Sequence, residues 1–294
     1  MNDIMNKNFL NALDDWGTIL SDTYEDAQVF KPEVEQDIYH GGDIIEPDKY
    51  KGKNINQRVQ FDEGLKVIFD NAFSNSTILG NLRFPEGLTI IGEGAFENCK
   101  NLNGNVYFPS TLLSIRAFAF MNSAITGQLN LPNKLNYIGA KAFKNCRGLV
   151  GKVNIPSKLL HIELSTFENC TGLTGVTWTK YLKTIGDYAF KSTGLIGDLK
   201  LPEHLTSIRQ EAFMNCKGLT SLEFNYNLFS IGVEAFKNCS GLSGELHVPR
   251  SVQRIGRDAF TGCNFEVVKV PSDLNEKSLN NLIKSLPNTE IIYY

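Results

Sequence analysis

The chain has 294 residues, 42% of them hydrophobic, and a formal net charge of −3. That length can bury a sizeable core, yet no run approaches the roughly 18 apolar residues that a membrane span requires. The opening MNDIMNKNFLNALDDW has neither the basic start nor the unbroken apolar stretch of a secretory signal, and six cysteines scattered singly through such a chain do not suggest a disulfide framework.

Charge is unevenly spread. Residues 1–50 hold 12 acids against 3 bases, leaving 20 acids and 26 bases for the remainder. Within the acidic arm, residues 1–54, Phe9, Leu13, Trp16 and Leu20 fall on one helical stripe, and an acidic stretch without rhythm follows. Two readings stand open for this arm. It is a capping helix with a loose linker, or an attachment segment that orders on an assembly partner, with Phe9, Leu13, Trp16, Leu20, Tyr24, Phe30 and Tyr39 as its apolar and aromatic anchors.

From residue 55 to 271 the chain repeats. Phenylalanine returns at 73, 96, 120, 143, 167, 190, 213, 236 and 260, in steps of 23 or 24. Isoleucine stands five residues before every one, and Leu, once Val252, stands eight before. Asn follows two residues later in seven units, and three residues later comes Cys, Ser or Thr. A position that accepts all three asks for a small side chain that tolerates burial, so the six cysteines read as buried free thiols. With no CxxC pair and no histidine in step, they do not read as zinc ligands. Gly92, Gly139, Gly186, Gly232 and Gly256 share one repeat position, which reads as a tight bend and not as a dinucleotide loop. The asparagines read as an inward ladder that satisfies turn backbone groups; three of them, Asn75, Asn169 and Asn238, also fall in glycosylation sequons.

Each unit also holds two apolar residues in strict alternation, usually closed by proline, as in Val153, Ile155 and Pro156. Period-two alternation marks a short strand with one buried face, and proline removes the next ladder donor. One unit cannot bury its own apolar face. Stacked units can, with their strands side by side in a parallel sheet. The chain therefore reads as an α/β-type repeat solenoid of about nine units, with short turns on the other face. Residues 272–294 read as its C-terminal cap: Asp273 and Glu276 as a capping box, Leu274, Leu279, Leu282, Ile283 and Leu286 at helical spacing, Pro287 as the stop, and TEIIYY as a closing strand.

Written as Leu-x-x-Ile-Gly-x-x-Ala-Phe-x-x-Cys, and seen best in GLTSLEF (218–224) followed by LFSIGVEAFKNC (228–239), the unit resembles the leucine-rich repeats of the BspA-like bacterial surface antigen family. The resemblance implies a curved leucine-rich-repeat stack and adhesion to host or neighbouring-cell proteins at a bacterial surface. The chain departs from that family in showing no export signal or anchor. Two further readings therefore stay open: a component of a larger assembly such as a phage virion, docked through residues 1–54 with the repeats projecting, and a cytoplasmic scaffold.

The outward positions of the strands form the expected partner-binding face: Arg83, Tyr107, Asn130, Asn154, Thr177, Lys200, Glu223, His247 and Lys269. Beside them runs a second row of Asn81, Asn105, Gln128, Lys152, Gly175, Asp198, Ser221 and Glu245. At about 4.8 Å per strand, nine strands make a ribbon of roughly 40 Å, a footprint for a protein or a surface glycan. Mixed charge argues against nucleic acid. His40, His161, His204 and His247 are isolated and read as solvated, no nucleophile elbow occurs, and the expectation is a nonenzymatic protein without cofactor, metal or membrane span.

Overall fold

A period of 23–24 residues with a buried aromatic in every unit gives a chain that winds back onto itself. The computed structural model describes residues 38–294, which form a parallel-sheet β-solenoid of about 11 turns with one short helix near the C-terminus. Neighbouring units are bonded through three ladders, of which the two strand ladders are interrupted in places. The first joins the strands of the outward face, such as Ile196–Lys200 with Gly218–Glu223. The second joins dipeptide strands built from the Leu-x-x-Ile motif, in two five-strand runs spanning Ile44–Ile138 and His161–Ile255. The third lies at the Ala-Phe corner, where the Phe73 N–H donates to the Ala95 carbonyl at 2.8 Å and Phe96 to Ala119 at 2.7 Å. The Leu-x-x-Ile segment is thus itself a sheet, a second ladder beside the one expected from the alternating pairs.

The nine periodic phenylalanines are fully buried and form one column. Neighbouring rings lie 5.1–5.7 Å apart, from Phe73–Phe96 at 5.1 Å to Phe143–Phe167 at 5.7 Å, and are nearly parallel throughout. Such contacts add roughly 0.5–1.5 kcal/mol per pair beyond the burial itself. Around them pack the Ile, Leu and Ala of each unit, in one continuous core.

Backbone geometry explains the asparagines differently from the inward ladder expected. Residues two after each phenylalanine take a left-handed conformation, the seven asparagines with φ from 57° at Asn98 to 65° at Asn215, which Asn adopts far more readily than most side chains. Their amides bond to one another along a half-exposed edge: Asn98 to Asn75 at 3.1 Å, Asn122 to Asn98 at 2.8 Å, Asn145 to Asn122 at 2.6 Å, and Asn169 to Asn145 at 2.8 Å. The repeated glycines also have another cause. A Cβ on Gly139 would sit 2.3 Å from the Ala117 nitrogen, and one on Gly256 would sit 2.3 Å from the Val233 nitrogen, so this position is glycine because adjacent coils touch there and not because the chain bends.

The sulfurs are internal donors. Cys146 Sγ donates to the Phe120 carbonyl of the preceding coil at 3.0 Å, and Cys170 to that of Phe143 at 3.0 Å. Cys99, Cys216, Cys239 and Cys263 repeat the contact at 3.1–3.2 Å, and all six are free thiols.

Both ends of the described stack are closed by particular side chains. At the first, the coils start before the boundary at residue 55: Ile38–His40 pairs with Val59–Phe61, and Ile44–Ile45 with Val67–Ile68. Tyr50 continues the ring column, 4.8 Å from Phe73 and stacked on it. Tyr50 stands 23 residues before Phe73 and five after Ile45, so the repeat was present with Tyr in place of Phe. His40 is only 3% exposed and not solvated. Its Nε2 lies 3.1 Å from the Ile44 carbonyl, which can only accept, so in the neutral ring Nδ1 accepts from the Tyr50 hydroxyl at 3.1 Å.

At the other end the helix Glu276–Ser285 covers the last dipeptide strand. Its N-cap is Asn275, whose side chain accepts from the Ser278 N–H, and not Asp273, which pairs with Arg250. The helix supplies what a further strand would have supplied. Ser278 Oγ accepts from the Ile255 N–H at 3.0 Å and donates to the Gln253 carbonyl at 3.2 Å, while Asn281 Nδ2 donates to the Ile255 carbonyl at 2.8 Å. Glu290–Tyr293 then pairs with Asn264–Val270 as the last strand.

Two outcomes follow from this packing. Phe143→Ala, which opens a gap between Phe120 and Phe167 in the column, is expected to cost about 3–5 kcal/mol in urea unfolding, whereas Cys146→Ser, which keeps a small donor, is expected to be mild. Burial pushes the Cys99 and Cys216 thiols up to about 11 and those of Cys146 and Cys263 to about 12, from an ordinary 9.0. Because the folded values are raised, their contribution is intact below pH 9 and is lost as pH climbs from there toward 12. Urea midpoints should therefore fall between about pH 9 and 11, and the fall should shrink in a Cys99→Ser/Cys146→Ser variant.

Candidate partner-binding face

The alternating strand pattern turns one residue of each pair into the core and the next into solvent. Val153 and Leu199 are buried, while Lys152, Asn154 and Lys200 beside them are exposed. All members of the expected first row are exposed except Lys269, which is partly covered. Strand register brings four pairs of them side by side: Arg83 with Tyr107, Asn154 with Thr177, Lys200 with Glu223, and His247 with Lys269. Asn130 lies just past the strand Thr126–Gln128.

These neighbours interact. The Arg83 guanidinium lies 4.0 Å from the centre of the Tyr107 ring, a cation–π contact. Lys200 bonds to Glu223 at 2.8 Å, and that carboxylate raises the lysine pKa. Lys269 pairs with Glu245 at 2.9 Å, and Ser221 donates to Asp198 at 2.6 Å. Asn105 donates from its backbone to Asn81 Oδ1 at 2.8 Å and from its amide to the Tyr107 hydroxyl at 3.3 Å. In the second row Gly175 leaves room for the Lys152 side chain, which would lie 3.0 Å from a Cβ built there. The face is therefore pre-ordered by contacts between coils and presents both charge signs.

Several residues of this region escape a reading of the repeat. Tyr226 is 87% exposed. It follows Asn225, which takes the place of the strand-closing proline and turns the chain by accepting from the Asn227 N–H at 2.7 Å. The missing proline was the available signal. Tyr294 packs its ring 4.7 Å from His247 and lies under Arg250 at 5.2 Å, and Ile292 sits opposite Lys269 in the last strand, so the cap extends the face by one strand. Among the arm residues, Phe9, Leu13, Trp16, Leu20, Tyr24 and Phe30 lie outside the described residues, and Tyr39 falls in the first strand opposite Gln60.

The repeat signature of the BspA-type leucine-rich-repeat region matches six copies, over residues 43–174 and 149–266. The chain belongs to this family. Among solved structures it is similar to a leucine-rich repeat protein from Eubacterium ventriosum ATCC 27560, at 18% identity over 82% of this chain and 85% of that one, with a TM-score of 0.52. It is also similar to the pneumococcal vaccine antigen PcpA, at 19% identity over 88% and 78% with a TM-score of 0.51. A third is a leucine-rich cell surface protein from Faecalibacterium prausnitzii A2-165, at 21% identity over 87% and 78% with a TM-score of 0.47. No curated protein matches the chain. The family and these structures are repeat proteins, and none is described as an enzyme. Among the described residues no helix is long and apolar enough to cross a membrane.

Because the pairs on this face are exposed, they add little to folding; such ion pairs contribute roughly 0–1 kcal/mol. Arg83→Ala, Asn154→Ala and Lys200→Ala are each expected to shift the unfolding free energy by less than about 0.5 kcal/mol. Equilibrium urea curves check this, and a larger loss would show that the row holds the fold and is not free to recognise anything.

Proposed function

We propose that the protein is a nonenzymatic recognition module that binds a protein partner at a cell surface through the outward strand face. One observation carries this reading. The inward positions repeat the same letters from coil to coil, while the outward positions of the same strands vary along the stack in size and charge, and paired strands hold them side by side in register. A merely solvated face has no need of Tyr107 beneath Arg83 or of Tyr294 beside His247. Rigid, amphipathic side chains of this kind contribute contact area at small entropic cost on binding. The antigen name among the similar structures supports the location.

A photo-crosslinking amino acid placed at Tyr107 or Lys200 is expected to capture a discrete surface protein when the purified chain is applied to intact bacterial or epithelial cells. The same group at Lys100 or Lys217, on turns off the face, is expected to capture none, and Lys200→Glu should weaken retention on the cells. Equal capture from all four positions, or none from any, would overturn the assignment. A product that disappears when the cells are deglycosylated would redirect it to a surface glycan.

A further inference from the structure

The last coils carry a groove on a different side of the solenoid from the strand face. It lies between the helix Glu276–Ser285 and the dipeptide strands Ser230–Ile231 and Arg254–Ile255, with a volume of about 1010 Å³. Gly232 and Gly256 line it without side chains. Phe229 and Val233 leave an apolar ledge along it, 45% and 36% exposed.

Its charged lining is of one sign. Arg254, Arg257 and Lys277 line the groove and no carboxylate does. The Arg254 guanidinium rests 5.5 Å from the Phe229 ring centre, and neither Arg254 nor Lys277 has an acidic partner among the described residues. Arg257 meets only the adjacent Asp258, at 3.4 Å on the surface. Of the nearby carboxylates, Glu234 is engaged with Lys237 at 3.1 Å and Asp273 with Arg250 at 3.7 Å.

The polar side chains of the helix wall are also committed, since Asn275, Ser278 and Asn281 all bond to the edge of the last coil. The groups left to greet a ligand are therefore three cations, the exposed Gln253 amide and an apolar ledge. Cations held beside exposed aromatic surface, two of them with no internal counter-charge, are complementary to a segment that alternates carboxylates with an apolar side chain.

We propose that this groove binds an extended acidic peptide of a partner protein. Its carboxylates meet Arg254, Arg257 and Lys277, and one apolar or aromatic residue seats against Phe229 and Val233. Nucleic acid fits less well, because a phosphate track is met by a run of cations along the backbone, whereas here the cations share the groove with apolar surface. The site is distinct from the strand face, so either can fail without the other.

The test is fluorescence anisotropy with the full-length chain and a labelled peptide of sequence EDEDYLDEDE, beside its neutral counterpart NQNQYLNQNQ. Saturable binding of the acidic peptide alone is expected. The R254E/R257E/K277E variant should weaken it at least about tenfold, as for loss of several charge pairs across an interface, and so should K277E alone to a smaller degree, on an exposed helix position that folding does not need. Phe229→Ala should weaken it severalfold, while Lys200→Glu on the strand face should leave it unchanged. Absence of saturable binding, equal binding of the neutral peptide, or indifference to both K277E and the triple variant would overturn the proposal. So would tighter binding of a single-stranded DNA 12-mer abolished by the same substitutions, which would make the groove a phosphate site.

Discussion

The column of phenylalanine rings is the constraint from which the remaining structure follows. Rings 5.1–5.7 Å apart set the separation between coils, and this is near the spacing that parallel strands need. Core and ladders therefore reinforce each other: a coil that seats its ring on the previous one also brings its backbone donors to the previous carbonyls. Each unit alone would expose both. Stability accordingly belongs to the interfaces between neighbours, as in other one-dimensional repeat proteins.

That arrangement places heavy demands on the corners. Two residues of every coil, two before and two after the phenylalanine, sit in the left-handed region. After the ring the sequence answers with Asn in seven units, and with Ser192 and Gly262 once each. Before it the residues are as varied as Phe118, Lys141, Tyr188 and Glu234, all with φ between 54° and 59°. A left-handed residue with a side chain costs roughly 1–2 kcal/mol, and here the packing on either side over-determines it. The asparagine edge, the cysteine donors and the glycine contacts are all answers to the same close approach of coils, and none of them needs a chemical function to explain it.

What is left for recognition is what the stacking does not use. On the strand face the register of the sheet converts residues 23 or 24 apart into neighbours, so that Lys200 meets Glu223 and Arg83 covers Tyr107. At the C-terminal end the helix replaces a missing strand, and in doing so walls off a basic, partly apolar groove that no single repeat contains. The two surfaces differ in chemistry: one is mixed in sign and internally paired, the other has a lining of one sign in which only Arg257 meets an acid.

The amino-acid sequence determined the repeat, its period, the buried phenylalanines, the small residue at the cysteine position and the outward row, because each depends only on spacing along the chain and on the alternation of a strand. It also held the extra N-terminal coil, in Ile45 and Tyr50, behind a change of one aromatic for another. The tertiary structure alone decided the rest. Which coil a side chain touches is a property of stacking, so the cause of the glycines, the burial of His40 against Tyr50, the capping of Ile255 by Ser278 and the meeting of Arg254, Arg257 and Lys277 in one groove could not be read from residues that lie far apart in sequence and come together only when the coils close.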